Sequence, residues 1–138
     1  MKQPLLFDTS VWIDFMREND TPQTDLLNHY VQNGYETPVI PVVVQEILQG
    51  IRDDAEHRQT RESLLGFTTL EIPPMIAAQG AAALFRSLRK KGITIRKSND
   101  CVIAFYALSF DLEIVHKDSD FDLICSHSNV KTWEKDKG

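Results

Sequence analysis

Four carboxylates, Asp8, Glu46, Asp100 and Asp118, stand where this sequence could do chemistry, and Asp120 follows the last of them by two residues. Asp8 stops the apolar run Leu5-Leu6-Phe7, and Asp118 follows Glu113-Ile114-Val115-His116 at the head of an Asp-rich stretch that also holds Asp120 and Asp122. Glu46 falls in the first turns of a segment with helical spacing, and Asp100 falls at the start of another, after Ser98-Asn99. Four carboxylates in one crevice would repel, raise one another's pKa values and weaken the fold. A divalent cation removes that penalty. Hard Mg²⁺ or Mn²⁺ takes oxygen ligands and keeps several waters. One or two such ions can orient a phosphodiester, lower the pKa of a bound water and neutralise charge on the leaving oxygen, with no histidine or lysine base required. Each acid also has an ordinary reading. Asp8 can be a helix N-cap, Glu46 and Asp100 can be first-turn acids favoured by the helix dipole, and Asp118, Asp120 and Asp122 can be turn and capping residues. The joint pattern exceeds these readings, because independent caps need not coincide with strand ends on one edge.

The elements that would bring the acids together follow from periodicity. Short apolar runs bounded by breakers predict strands over 5–7, 38–42, 70–72 and 113–116, with 130–132 as an edge strand. After Asp8, Val11, Trp12, Phe15 and Met16 recur at helical spacing. Thr21-Pro22 reads as an N-cap with proline at the first helical position, and Gly34 ends that helix. Further helices are expected over 43–51, 54–65, 75–91 and 101–110, with a short one after Asp118. The small residues Ala77, Gly80 and Ala81 imply close packing of the fifth helix against another element, and the sixth is apolar nearly all round, so it should be buried. Strands alternating with helices imply an α/β fold, a central, mostly parallel sheet of four to five strands flanked by helices, with right-handed crossovers. All strand carboxyl ends then share one edge, which is where open α/β sheets place their ligands. Asp8 and Asp118 belong to that edge, and helix starts do too. No repeat or linker divides residues 1–138, so one domain is expected.

Against this frame, a family likeness becomes visible. Leu6-Phe7-Asp8-Thr9-Ser10-Val11-Trp12-Ile13 resembles the first motif of PIN-domain nucleases, and Val42-Val43-Val44-Gln45-Glu46-Ile47-Leu48-Gln49-Gly50 resembles their second. Asn99-Asp100-Cys101-Val102-Ile103-Ala104 resembles the third, and Val115-His116-Lys117-Asp118-Ser119-Asp120-Phe121-Asp122 the fourth. Any one motif is weakly specific; four in order over nearly the whole chain are strong. Length and wording are most similar to VapC-type toxins of toxin–antitoxin modules. The resemblance implies a PIN-like three-layer fold and a Mg²⁺- or Mn²⁺-dependent endoribonuclease, usually dimeric and held inactive by a VapB-type antitoxin. It makes a structured RNA such as tRNA a candidate substrate. Carried over by position, Asp8, Glu46, Asp100 and Asp118 match the acidic quartet, Asp120 an acid often near the metal, and Ser10 a supporting hydroxyl. Many members have a small hydroxyl residue where this chain has His116, while a subgroup similar to this chain carries histidine there. His116 reads either as a strand-end residue packed at the edge or as a support for Asp118 or substrate.

Composition narrows the field further. With 42% hydrophobic and 25% charged residues, the chain is an ordinary globular one. It has no run near the ~20 apolar residues that span a bilayer and no signal-peptide pattern, so a cytoplasmic location is expected. Cys101 and Cys125 are two thiols in apolar surroundings without zinc-ligand spacing, and reduced, packed thiols are expected. The net charge of −5 says little against nucleic acid, because whole-chain charge hides local patches. Basic residues gather at 52–61 and 86–97, which read as solvated helix faces, with Arg96 and Lys97 the leading candidates to hold an RNA backbone. A haloacid-dehalogenase-like phosphatase would want a second Asp at position 10, where Ser10 stands. A phosphoacceptor receiver domain would want an acid pair at the first strand, where Asp8 is alone. A non-catalytic PIN-fold binding module is the remaining alternative. The apolar stripes of the first helices and of 75–91 could serve a homodimer, an antitoxin groove or the core itself.

Overall fold

The computed structural model describes residues 2–135, and among them three strands and seven helices. β1 (Leu5–Phe7), β2 (Glu113–Val115) and β3 (Lys131–Thr132) form a parallel sheet in the order β1-β2-β3. β1 is buried along its whole length, as a run apolar on both faces must be in a parallel sheet covered by helices. Leu6 and Phe7 are fully enclosed, and each such side chain contributes roughly 1.5–3 kcal/mol relative to exposure. The register pairs Phe7 with Val115, and the Asp8 N–H continues the ladder to the Val115 carbonyl at 2.9 Å. This pairing carries residue 8 and residues 116–118 to one edge.

The sheet has three strands rather than four or five. The expected strands over 38–42 and 70–72 shrink to a single parallel bridge between Val39 and Thr69. Proline explains both losses. Pro38 and Pro41 have no N–H to give a ladder. Pro41 instead occupies the first turn of α3 (Pro41–Gln49), so the helix begins two residues before the expected 43. On the other side, Pro73-Pro74 turns the chain into α5 (Pro74–Lys90), and the Ile72 N–H is satisfied by the Tyr106 hydroxyl at 3.0 Å instead of by a strand.

The remaining elements follow the sequence closely. α1 (Thr9–Met16) starts directly after Asp8. α2 (Pro22–Gln32) opens with a Thr21–Thr24 capping box. α4 spans Asp54–Leu65, α6 spans Ser98–Phe110 and α7 spans Ser119–Ser126. α6 is the central helix, with Cys101, Ile103, Ala104, Tyr106 and Ala107 all buried. α5 lies along it at close range. A Cβ added at Gly80 would sit 2.2 Å from the Phe105 ring, so glycine is what permits this approach. α6 also packs against α3, which sets Glu46 beside the start of α6. Both cysteines are free. No helix among the described residues is long and apolar enough to cross a membrane.

Candidate active site

The edge where β1 and β2 end holds every acid singled out in the sequence. Asp8 is the N-cap of α1: its Oδ2 accepts from the Ser10 hydroxyl at 2.8 Å and from the Ser10 N–H at 3.4 Å. Asp118 is the N-cap of α7, its Oδ1 accepting from the Asp120 N–H at 3.0 Å. The capping readings of Asp8 and Asp118 therefore hold, and they leave the site reading open, since a carboxylate that caps with one oxygen keeps other lone pairs for a ligand. Glu46 is not a first-turn acid. It sits in the second turn of α3 and reaches across to accept from the Thr9 hydroxyl at 2.7 Å, with the Asn99 amide 3.5 Å from its other oxygen.

Asp100 lies in the first turn of α6 and is 5% exposed. Its Oδ2 is buried and has no hydrogen-bond partner. Burial, then the charges of Asp8 and Asp118, push its pKa up to about 7. Asp8 is shifted upward as well, chiefly by burial, against the downward pull of its bonds to Ser10. Carboxylate oxygens of Asp100, Asp118 and Asp120 all lie within 4.8 Å of one another. Asp8 and Glu46 stand outside this triangle, although the charge of Asp8 acts on Asp100 and that of Glu46 on Asp8.

These residues fit a divalent cation. The donor set is all oxygen, as hard ions require. The orphan Oδ2 of Asp100 is the sharper indication, because a buried carboxylate oxygen without a donor is costly unless a cation or water completes it. Asp100, Asp118 and Asp120 are the residues close enough together to share one ion.

The supporting positions divide. Ser10 bonds Asp8 directly. The His116 ring is nearly buried and tilts against Phe121 at 5.1 Å. Its Nδ1 accepts from the Asp118 N–H at 3.1 Å, so the proton resides on Nε2, which faces Asp122 Oδ1 at 3.4 Å. Burial holds its pKa below the usual value, outweighing the nearby acids. Arg96 is largely exposed, yet its guanidinium folds back over the acids. Its Nε is 3.3 Å from Asp120 Oδ2, and a terminal nitrogen is 3.5 Å from Asp120 Oδ1 and 3.7 Å from Asp118 Oδ1. Lys97 precedes α6, exposed and without a capping bond. Sequence reasoning left Thr9, Asn99 and the pair Lys117–Asp14 without a role. Thr9 and Asn99 each adjoin a site acid within its motif, which was the available signal. Lys117 ties the loop before Asp118 to α1 through Asp14, and no local pattern announces a contact between such distant positions.

A family model for the PIN domain matches residues 5–126. The chain is 30% identical over 128 residues to a VapC ribonuclease of Mycobacterium bovis and to Ribonuclease VapC11 of Mycobacterium tuberculosis, covering 92% of this chain and 96% of each relative. Its fold is similar to that of VapBC2 from Rickettsia felis, solved bound to a DNA fragment from its promoter, with a TM-score of 0.72, 15% identity and coverage of 96% and 100% of the two chains.

Proposed function

The chain belongs to the PIN-domain family, and from that premise and the geometry of the acidic crevice we propose that it is a metal-dependent endoribonuclease acting as the toxin of a toxin–antitoxin pair. The observation that carries the reading is the buried, unpartnered Oδ2 of Asp100 amid Asp118 and Asp120, a position that a cation would complete. The relatives named above are ribonucleases, which supplies the substrate class.

In this reading Mg²⁺ or Mn²⁺ is held by Asp8, Glu46, Asp100 and Asp118, with Asp120 beside them. When bound, such an ion supplies an activated water and neutralises charge at the phosphate. The protein's own groups do the rest. Ser10 fixes Asp8, and Thr9 and Asn99 fix Glu46, so the carboxylates keep their directions before any ion arrives. His116, as the neutral Nε2–H tautomer, holds the backbone of Asp118. Arg96 and Lys97 lie at the lip of the crevice and contact the RNA backbone, which sets affinity and register more than sequence choice. Specificity then rests on the shape of a single-stranded loop, and a structured RNA such as tRNA is the candidate substrate. A VapB-type antitoxin is the proposed partner, as structures of VapBC complexes share this fold, and the active form is a homodimer in the cytoplasm.

The test is cleavage of total cellular RNA by the purified chain, with Mg²⁺ or Mn²⁺, with EDTA, and with Asp100→Asn. Discrete products that vanish with EDTA and with the substitution are expected. A folded, antitoxin-free chain that cleaves no RNA with either metal would overturn the enzymatic reading in favour of a PIN-fold binding module.

A further inference from the structure

The crevice already contains one cation, and it is tethered to the chain. Arg96 comes from the segment before α6 and spans two of the three clustered carboxylates, Asp120 at 3.3 and 3.5 Å and Asp118 at 3.7 Å. The third, Asp100, is the one left with an orphan oxygen. These contacts are long for a bidentate guanidinium–carboxylate pair, whose N–O distances are about 2.7–2.9 Å. The side chain is 73% exposed while the Asp120 carboxylate beneath it is 7% exposed. A buried acid is thus covered by a cation that is free on its outer side and loosely bound on its inner one.

We propose that Arg96 works in two positions: without a divalent ion it holds Asp118 and Asp120 together, and when an ion enters among Asp100, Asp118 and Asp120 it is displaced onto a phosphate of the RNA. The inference rests on the metal-nuclease reading above and deepens it by coupling the two ligands. An incoming ion needs lone pairs of Asp118 and Asp120 that face the guanidinium, and two cations in one acidic cluster repel. Displacement is short, because the backbone of Arg96 stays anchored: its own N–H points at Asp120 Oδ2 at 3.4 Å. The freed guanidinium therefore remains at the lip, beside Lys97, where a planar fork suits a phosphate. Metal binding makes the RNA site, and RNA, by holding Arg96 away, tightens the metal, as linkage requires.

Two titrations test this. Mn²⁺ binding is read from the loss of the free-ion electron paramagnetic resonance signal for wild type, Arg96→Met and Asp100→Asn. Binding of a fluorescein-labelled single-stranded RNA oligonucleotide is read by anisotropy in Ca²⁺ and in EDTA. Arg96→Met should bind Mn²⁺ about fivefold tighter or more, the lower end of typical coupling between sites. Its RNA affinity in Ca²⁺ should fall, with the salt slope shallower by about 0.7 for one lost phosphate contact, and Arg96→Lys should restore most of that affinity. Ca²⁺ should strengthen RNA binding by wild type more than by Arg96→Met. Equal or weaker Mn²⁺ binding by Arg96→Met overturns the inference and makes Arg96 a plain brace for the acids. Failure of Asp100→Asn to weaken Mn²⁺ binding instead overturns the metal site itself, and the inference with it.

Discussion

On the α1–α3 side of the crevice, neutral donors hold the carboxylates: the Ser10 hydroxyl on Asp8, the Thr9 hydroxyl and the Asn99 amide on Glu46. On the α6–α7 side, Asp118 and Asp120 lean on a guanidinium and Asp100 has an oxygen with no donor at all. The difference separates two tasks. Neutral donors orient a carboxylate and leave its charge for a ligand, so the first side is finished before any ion arrives. The second side is balanced by a largely exposed guanidinium or left unbalanced, so it is the side that a bound metal would complete.

The sharpest way to break this comparison is at Asp100. Asp100→Asn should lower RNA cleavage by roughly a hundredfold or more, the scale for losing one group that stabilises developing charge, while the metal-free protein becomes more stable. A cleavage assay and a urea titration on the same preparation check both halves of that statement. A fully active variant would place the ion elsewhere.

Next in size is a pH effect confined to the unfinished side. Asp100 keeps its proton up to about pH 7 when folded, against 3.8 as the ordinary value. The folded state thus binds the extra proton between about pH 4 and pH 7. Stability supplied by the protonated acid is complete below that window and is lost as pH rises through it. The burial of neutral His116 acts in the opposite sense over part of the same range, so the clean readout is the gap between wild type and Asp100→Asn. In EDTA that gap should widen by up to a few kcal/mol as pH rises. Excess Mg²⁺ should close it by stabilising wild type alone.

On the finished side the effects are smaller. Ser10→Ala should cost roughly tenfold in Mn²⁺ affinity, at the low end for a group that orients a ligand, with little change in melting temperature. Thr9→Val tests the same role for Glu46. If either variant unfolds the protein instead, these hydroxyls belong to the fold rather than to the site. The smallest effect is expected at Lys117→Met, which frees Asp14. The pair is partly exposed, so the urea midpoint should move by no more than about 1 kcal/mol equivalent and Mn²⁺ affinity should not move at all.

What the sequence made legible follows from which signals are local. Asp8 after Leu5-Leu6-Phe7, and Asp100 after Ser98-Asn99, announce themselves by short-range pattern, and both arrive where the pattern puts them. The boundaries of α4 and the closing turn at Gly92, with φ +84°, are equally local. The strands over 38–42 and 70–72 were misjudged because apolar content outweighed the proline chemistry at their ends. The place of Arg96 was illegible for a different reason. A basic residue in a charged run is indistinguishable from a solvated one until the fold brings Asp118 and Asp120 beneath it.

One feature of the sheet bears on when the crevice comes into being. β1 pairs with β2, and most of the chain, from Asp8 to Leu112, lies between them. During synthesis, Asp8 must wait for Val115 to emerge before its edge exists, and Asp118 and Asp120 follow later still. Parallel pairing across so long a separation is slow, because the loop must close before any contact rewards it. A partly made or truncated chain therefore carries three of the four motifs and no assembled acid cluster.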